Sequence, residues 1–142
     1  YGCREYGDFY AKAMSVFGKK YLERWKPDLN VPVPRHPRKK RMRGFNQAAY
    51  LAERLSVLTG IPWNGHLVKK IRSTRSQKKL NAIQRRQNLK NAYQVTEKIP
   101  GFSVLVVDDV YTTGSTADAM AMCLLEAGAE KVYFLTICAG RA

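Results

Sequence analysis

Acidic residues are scarce in this chain of 142 residues, which has 25 Lys and Arg against 11 Asp and Glu and so a formal net charge of +14. None of these acids lies between Arg54 and Thr96. An excess of cations on this scale favours polyanionic partners, such as nucleic acid, nucleotides, pyrophosphate or an acidic membrane surface. The composition therefore makes an anionic substrate or partner the first expectation.

Long apolar runs and paired cysteines are also missing. No apolar run approaches the roughly 18 residues of a membrane-spanning helix, and no signal peptide is visible, so we expect no membrane span. The three cysteines, Cys3, Cys123 and Cys138, are odd in number and widely spaced. Cys123 and Cys138 lie in apolar patterns that are typical of core thiols. A reducing compartment fits this usage, and we expect a cytoplasmic protein.

Several common site motifs are absent as well. His36 and His66 have no Cys or His partners at the spacing of metal ligands, so no zinc site is predicted. No Gly-x4-Gly-Lys-Ser/Thr run is present, which excludes a Walker phosphate loop. The Asp-x-Asp start of a haloacid dehalogenase is excluded too, because Asp109 is followed by Val110 and Tyr111.

The most informative stretch that is present runs over residues 104–116. Four apolar residues, three of them β-branched, predict a strand buried on both faces. Asp108 and Asp109 follow where that strand should end, and Thr112-Thr113-Gly114-Ser115-Thr116 leads into an alanine-rich helical pattern. The N–H groups of this loop and the helix dipole attract an anion, whereas the carboxylates suit sugar hydroxyls or a metal. A sugar phosphate satisfies both halves of the site.

Two helices are predicted in the first half of the chain. Asp8 is the expected N-cap of the first, which runs to about Arg24. Asn46 is the expected N-cap of the second, which Gly60 should end. The expected buried side of the first helix comprises Phe9, Ala13, Val16 or Phe17, and Tyr21. That of the second comprises Ala48, Leu51, Ala52, Leu55 and Leu58.

Short extended segments alternate with these helices. They are predicted over residues 31–34, 66–71, 92–95, 104–107 and 132–138, with a further helix that stops at Gly128. Such alternation predicts an α/β fold with a mainly parallel, twisted sheet that has helices on both faces. We expect residues 1–142 to form a single domain.

Two basic segments contain no carboxylate: the first basic segment, residues 35–43, and the second basic segment, residues 72–90. Their self-repulsion is costly unless an anion is recruited. The second basic segment is also poor in apolar residues, which predicts a mobile loop in the free protein. Any single Lys or Arg among them can equally be a solvated surface cation.

The strand, acid pair and hydroxyl-rich loop resemble the 5-phosphoribosyl 1-pyrophosphate (PRPP) motif of type I phosphoribosyltransferases. The resemblance implies that fold, and it implies that Asp108 and Asp109 hold the ribose 2′- and 3′-hydroxyls. It assigns the 5′-phosphate to Thr112, Thr113, Gly114, Ser115 and Thr116. Mg²⁺ is then expected to arrive with PRPP, without a direct protein ligand.

The same resemblance gives the two basic segments a role. The first occupies the position of a pyrophosphate-binding loop, and the second that of a mobile loop which closes over the substrate. Breaking the bond between ribose and pyrophosphate builds negative charge on the leaving group, which surrounding cations would stabilise. The pyrophosphate contacts expected on this basis are Pro34, Arg35, His36, Arg38, Arg72, Arg75 and Arg86.

A more specific resemblance extends from about residue 6 to the end of the chain. The runs Val31-Pro-Val-Pro-Arg-His-Pro-Arg38 and Arg43-Gly-Phe-Asn-Gln47, followed by residues 74–93 and the central motif, look like the ComF family. These are phosphoribosyltransferase-like proteins associated with bacterial DNA uptake. ComF proteins commonly carry an N-terminal cysteine-rich zinc ribbon. This chain has only Cys3 in that region, so the ribbon is expected to be absent from it.

Two functions follow from these resemblances. One is a PRPP-binding enzyme that transfers or hydrolyses at ribose C1 and releases pyrophosphate, with an acceptor that the sequence does not name. The alternative is a competence-associated DNA-uptake or nucleic-acid module that keeps the fold without transferase activity. Single-stranded DNA and proteins of DNA uptake would then be partners. Arg43 and Phe45 are the candidate DNA contacts, with Trp63 and Tyr93 as further stacking candidates.

Overall fold

The computed structural model describes residues 3–35, 46–71, 83–84, 92–111 and 114–139. Within these ranges the helices are α1 (Cys3–Phe17), α2 (Lys19–Trp25), α3 (Gln47–Thr59) and α4 (Ser115–Glu126). The strands are β1 (Leu29–Pro32), β2 (Val68–Lys70), β3 (Tyr93–Val95), β4 (Ser103–Tyr111) and β5 (Lys131–Ala139). Throughout the described ranges, no helix combines the length and the apolar character needed to cross a bilayer.

The central strand of the main sheet is β4. It pairs in parallel with β1 on one side and with β5 on the other, so the order is β1-β4-β5. The side chains of residues 104–107 are all fully buried. Alternate side chains of a strand point to opposite faces, so an unbroken apolar run requires that both faces are covered. The predicted buried strand and the α/β fold are therefore confirmed.

Each face of β4 belongs to its own hydrophobic cluster. Val104 and Val106 lie in one, with residues of α4 and of the β2–β3 pair, such as Met120 and Tyr93. Leu105 and Val107 lie in the other, together with buried residues of α1, α2 and α3. The sheet thus separates a helical layer on one side from α4 and the small β2–β3 pair on the other.

The start of the first helix is a correction to the sequence prediction. Helix α1 begins at Cys3, before Asp8, so Asp8 is not its N-cap. Its carboxylate instead accepts a hydrogen bond from the Tyr50 hydroxyl at 2.8 Å and pairs with Arg54 at 3.1 Å. These contacts join α1 to α3. The helical stretch is interrupted after Phe17 and ends at Trp25, close to the predicted end.

The buried side predicted for the first helix is also wrong. Phe9, Val16, Phe17 and Tyr21 are exposed by 50–82%, and the buried residues are Ala11, Met14 and Leu22. Apolar residues surround α1 on several sides, so periodicity alone left more than one candidate face. The face that carries Ala11 and Met14 is the buried one, and α1 packs against α3 and β5. Gly18 lies between α1 and α2, where a Cβ would lie 2.6 Å from the Met14 carbonyl oxygen of α1 and 3.6 Å from the Leu135 side chain of β5.

Helix α3 has the ends that its sequence predicts. The Asn46 side chain accepts a hydrogen bond from the Ala49 N–H at 3.2 Å, and Gly60 ends the helix in a left-handed conformation with φ +80°. Its buried residues are Ala48, Leu51, Ala52 and Leu55. Leu58, which was also expected on the buried stripe, is 45% exposed because it lies in the last turn, beyond the packed part of the helix.

The second sheet is an antiparallel pair of short strands, β2 and β3. Lys70 and Tyr93 are register partners, and the Ile71 N–H continues the ladder to the Ala92 carbonyl at 2.8 Å. Two of the predicted extended segments are thereby confirmed as strands. Their pairing places Ile71 and Ala92, which flank the second basic segment, next to each other.

Candidate functional site

The candidate site lies at the carboxyl edge of the parallel sheet, where ligands commonly bind in α/β folds. Beyond β1, the Val33 N–H donates to the Val107 carbonyl at 2.9 Å and keeps the chain beside β4. Two residues later, Arg35 lies against Asp109. The residues that follow β1 and the acid pair of β4 are therefore neighbours in space.

The acid pair is held by a short hydrogen bond. The Asp109 N–H donates to Asp108 Oδ1 at 2.8 Å. Arg35 Nη2 lies 3.9 Å from Asp109 Oδ2, and these two side chains are 20% and 25% exposed. The carboxylates are thus partly removed from water and have one described cation close by.

Asp108 titrates far from the usual range of an aspartate. Burial, followed by the side-chain hydrogen bond with Asp109, raises the pKa of Asp108 to about 7, whereas the N–H of Asp109 and the Arg35 charge act in the opposite direction. Near neutral pH this carboxyl group changes between donor and acceptor. Such a group can bind sugar hydroxyls in either state, but it is a strong acceptor only when ionised.

Gly114 forms the turn from the loop into α4. Its φ of +81° is left-handed, a conformation that glycine adopts without strain, and its carbonyl accepts from the Asp118 N–H at 2.8 Å. The amino end of α4 then follows at Ser115. The acid pair precedes the glycine turn and the helix, as predicted, but β4 runs on to Tyr111, so Asp108 and Asp109 lie within the strand and not at its end. The donors at a helix amino terminus are suited to an anion.

Thr116, in the first turn of α4, has a hydrogen-bonding partner that was not expected. Burial raises the pKa of Tyr93, at the start of β3, to about 12, and a side-chain hydrogen bond with Thr116 acts in the opposite direction. Tyr93 is only 6% exposed, so the prediction that its ring stacks on a nucleic-acid base is wrong. Trp63, the other described stacking candidate, is 36% exposed, and its ring covers Gly65, where a Cβ would lie 2.7 Å from it.

The structure brings together only part of the predicted site. Asp108, Asp109, Arg35, Gly114 and Thr116 are grouped at the carboxyl edge, with Pro34 immediately before Arg35. The backbone of Ser115 is described as the first residue of α4. The other predicted residues lie outside the described ranges: Thr112, Thr113, His36, Arg38, Arg43, Phe45, Arg72, Arg75 and Arg86. Their assigned roles stay predictions.

A cavity of about 510 Å³ lies between the residues that follow β1 and strand β2. Its lining includes Arg35, Asn46, His66, Lys69 and Lys70. His66, Lys69 and Lys70 were not predicted as site residues. The two lysines adjoin the second basic segment and so carried a signal that was available, whereas an isolated histidine carries none. The cavity shares Arg35 with the acid pair, which makes it a cationic extension of the same site.

Among the residues that the structure describes, no group of three or more His, Cys, Asp or Glu side chains is arranged to hold a metal ion. Cys123 is a free thiol whose Sγ donates to the Met120 carbonyl at 3.3 Å. Burial raises the pKa of Cys123 to about 11. It is therefore a protonated thiol packed against the core, as its apolar pattern predicts.

Comparison with known proteins agrees with this geometry. A family model described as the phosphoribosyl transferase domain matches residues 6–142. Among solved structures, a purine phosphoribosyltransferase from Pyrococcus horikoshii has a TM-score of 0.56 at 18% identity, covering 91% of this chain and 69% of that one. A phosphoribosylpyrophosphate synthetase from Mycobacterium smegmatis has a TM-score of 0.57 at 18% identity, covering 89% and 33%. The domain is a phosphoribosyltransferase fold.

Proteins of similar sequence show which family within this fold the chain resembles. DNA utilization protein YhgH of Salmonella typhi is 38% identical over 112 residues, which are 79% of this chain and 49% of that protein. Competence protein F of Haemophilus influenzae is 38% identical over 109 residues, 75% and 48%. Competence protein ComFC of Bacillus subtilis is 32% identical over 114 residues, 80% and 44%. The chain belongs to the ComF family, and it spans about half the length of these relatives.

Proposed function

We propose that this chain binds PRPP at the carboxyl edge of its parallel sheet and is the phosphoribosyltransferase-like domain of a ComF protein. The observation that carries the proposal is the acid pair, Asp108 and Asp109, on the central strand just before the glycine turn into α4. A carboxylate pair followed by a helix amino terminus offers acceptors for hydroxyls and donors for phosphate. Both belong to one ligand only if that ligand is a phosphorylated sugar.

Each part of the site has a role in this proposal. Asp108 and Asp109 accept hydrogen bonds from the ribose 2′- and 3′-hydroxyls, and residues 112–116 surround the 5′-phosphate. Arg35 lies 3.9 Å from Asp109 and also lines the cationic cavity, so it is suited to the pyrophosphate group. When an acceptor or water forms its bond to ribose C1, the bond to pyrophosphate breaks and its electrons leave with the pyrophosphate. The basic segments stabilise that charge.

The residues present fit a Mg²⁺ ion that arrives with its substrate. Mg²⁺ often binds through substrate phosphates rather than in a cage of protein ligands. In this proposal the pyrophosphate oxygens would hold the ion without a direct protein ligand, and Asp108 and Asp109 would accept hydrogen bonds from the ribose hydroxyls. Bound in this way, the ion would neutralise charge on the leaving pyrophosphate.

The fold does not specify the reaction, because the similar solved structures include both a purine phosphoribosyltransferase and a phosphoribosylpyrophosphate synthetase. An enzyme that transfers or hydrolyses at ribose C1 remains our first candidate. The second is a module of DNA uptake that binds single-stranded DNA and partner proteins. The net charge of +14 and the names of the relatives favour it. Both proposals include two expectations from the sequence: residues 1–142 form one domain, and the protein is cytoplasmic.

The acid pair supplies the test of PRPP binding. PRPP with Mg²⁺ should raise the melting temperature of the native chain, because a ligand that binds only the folded state stabilises it. The double variant Asp108→Asn/Asp109→Asn should lose most of this increase, since amides are weaker acceptors than carboxylates. Differential scanning fluorimetry over a range of PRPP concentrations measures both.

A matched control is Glu23→Gln/Glu130→Gln, which removes two exposed acids outside the site and so makes the same change in net charge. It should keep the full increase. An undiminished PRPP effect in the Asp108/Asp109 variant would contradict the assignment of the acid pair. Pyrophosphate release with a panel of acceptors, measured on the native protein, then separates the enzyme from the DNA-uptake module.

A further inference from the structure

The polar side chains of the cationic cavity are mainly hydrogen-bond donors. They are Arg35, Asn46, His66, Lys69 and Lys70. Arginine and lysine can only donate, and a histidine donates through one or both ring nitrogens. The side-chain oxygen of Asn46 already accepts from the Ala49 N–H at 3.2 Å, which leaves the donors of its amide group. No Asp or Glu of the described ranges lines the cavity, so its side chains suit an anion, which only accepts hydrogen bonds.

Cations line the cavity from both of the elements that form it. On the β1 side, Arg35 Nη2 lies 3.9 Å from Asp109 Oδ2. On the β2 side, Lys70 Nζ lies 5.8 Å from the centre of the Tyr93 ring. Because that ring is buried in the core, it is a fixed support for the ammonium group. The cavity therefore has one cation beside the acid pair and another on the β2–β3 pair.

The cavity also has an apolar lining, which consists of Pro32, Pro34, Val68 and Ile71. Ile71 is 52% exposed, although its N–H group continues the β2–β3 ladder. Pyrophosphate would account for the cations of the cavity but not for this surface, because pyrophosphate has no apolar group. The volume of about 510 Å³ is typical of sites for small organic ligands. The lining thus fits a ligand that combines an anionic group with an apolar body.

We propose that the cationic cavity binds a small organic acid with an apolar body, and that an acid of this class is the acceptor in the transfer reaction. This proposal rests on the proposed function and adds the class of the second substrate to it. Since Arg35 lies beside both the cavity and Asp109, such an acid would be next to the ribose. A lone pair of the acid would form a bond to ribose C1 while the bond from C1 to oxygen breaks. The electron pair of that bond leaves with pyrophosphate, and any proton on the attacking atom passes to water.

Three simple probes test the cavity on the native chain. Benzoate has a ring and a negative charge, benzamide has the ring without the charge, and acetate has the charge without the ring. NMR titration at about 0.15 M salt, which screens weak surface attraction, gives the three dissociation constants. Benzoate should bind about 5- to 10-fold more tightly than benzamide, because hydrogen bonds to a charged group are stronger. It should bind about 10-fold more tightly than acetate, because its ring covers apolar surface.

Removal of two cations tests the charged part of the lining. Lys69→Gln/Lys70→Gln should raise the dissociation constant of benzoate about 5- to 10-fold and leave that of benzamide unchanged. The matched control is Lys12→Gln/Lys131→Gln, which removes two exposed lysines outside the cavity and makes the same change in net charge. The control should bind benzoate as the native chain does. An equal loss in both variants would mean that benzoate responds only to net charge, and this would overturn the proposal.

Ile71→Thr tests the apolar part. It keeps a β-branched side chain but removes apolar surface, so the dissociation constant of benzoate should rise about 2- to 3-fold while that of acetate stays the same. Val57→Thr is the control, because Val57 is exposed on α3 and does not line the cavity. Equal benzoate affinity of the Ile71 variant and the native chain would contradict the role of the apolar lining.

The outcomes separate this proposal from the function on which it rests, and the probes decide even if a variant fails to fold. A native chain that binds ribose 5-phosphate but prefers benzoate over neither acetate nor benzamide would overturn the acid site alone. A preference for benzoate without any binding of PRPP or ribose 5-phosphate would support the acid site and overturn its role as the acceptor site. Ribose 5-phosphate binding together with a benzoate preference that Lys69→Gln/Lys70→Gln abolishes would support both.

Discussion

The two halves of β4 have opposite relationships with their surroundings. Residues 104–107 are buried on both faces, and their side chains pack in the two hydrophobic clusters. Asp108 and Asp109 continue the same strand, still paired with β5 at Asp108, yet they bring two carboxyl groups into a partly buried position. One half stabilises the fold, whereas the other is destabilising unless a ligand uses it. A single strand therefore contains both the centre of the core and the centre of the proposed site.

The largest expected effect comes from the buried half. Leu105→Ala should lower the free energy of unfolding by about 2–5 kcal/mol, because it leaves a cavity among α1, α3 and β4. Urea unfolding followed by circular dichroism measures this loss. While the variant is folded, its affinity for ribose 5-phosphate should be that of the native chain. A loss below about 1 kcal/mol would mean that the two halves differ less than their burial indicates.

Replacing Asp108 in the acid half should raise the free energy of unfolding, whereas Leu105→Ala lowers it. The pKa of Asp108 in the folded state is about 7, above its ordinary value near 4, so the folded state holds this proton more tightly than the unfolded state. Its contribution to stability is thus present at low pH and is lost as pH rises toward and through 7. Asp108→Asn does not titrate, and at pH 8 it should be more stable than the native chain by about 1–2 kcal/mol, a value reduced for partial exposure.

Urea unfolding of both proteins at pH 5 and pH 8 checks this sign. The stability difference between Asp108→Asn and the native chain should be larger at pH 8. The variant should also bind ribose 5-phosphate more weakly, which would make it a stabilised protein with a damaged site. A variant that is less stable at pH 8 than the native chain would remove the contrast between the two halves of β4.

The smallest effect on stability is expected at the turn that follows the acid half. Gly114→Ala should cost about 1 kcal/mol, since a side chain at φ +81° is strained. Gly101→Ala is the matched control, because Gly101 has φ +77°, and a Cβ there would have open space around it. The two variants should lose similar stability in thermal unfolding. Only Gly114→Ala should weaken ribose 5-phosphate binding, and equal binding by both would place the phosphate elsewhere.

The sequence predicts best where one structure satisfies several local signals at once. Residues 104–107 are apolar and β-branched, and no helix or exposed strand would suit them as well, so β4 was predictable. Asn46 and Gly60 are strong end signals for α3 and were confirmed. In α1, by contrast, apolar residues occur on several sides, and the choice of face depends on how closely the helix can approach α3. That distance is a property of the packed structure and leaves no periodic signal.

In the candidate site too, local sequence signals predicted one part, and the other part depends on packing. Asp108, Asp109 and Gly114 are neighbours in sequence, so their grouping was predictable from one motif. Tyr93 was known only as an aromatic residue after a basic segment, and stacking was the natural interpretation of it. Its actual partner, Thr116, is 23 residues away, and only the packing of β3 on α4 brings them together. The cationic cavity was not predictable either, because it forms only where β2 lies beside Arg35.

The pairing of β2 with β3 has a consequence for how this domain can change over evolution. Lys70 and Tyr93 are register partners, and the Ile71–Ala92 hydrogen bond closes the ladder, so the two ends of the stretch between these strands lie side by side. The entropic cost of joining two such points by a flexible loop grows slowly with its length, by roughly 0.6 kcal/mol for each doubling. Paired strand ends therefore accept connections of very different length. We expect relatives to differ more in the length and charge of this basic stretch than in the β2–β3 pair itself.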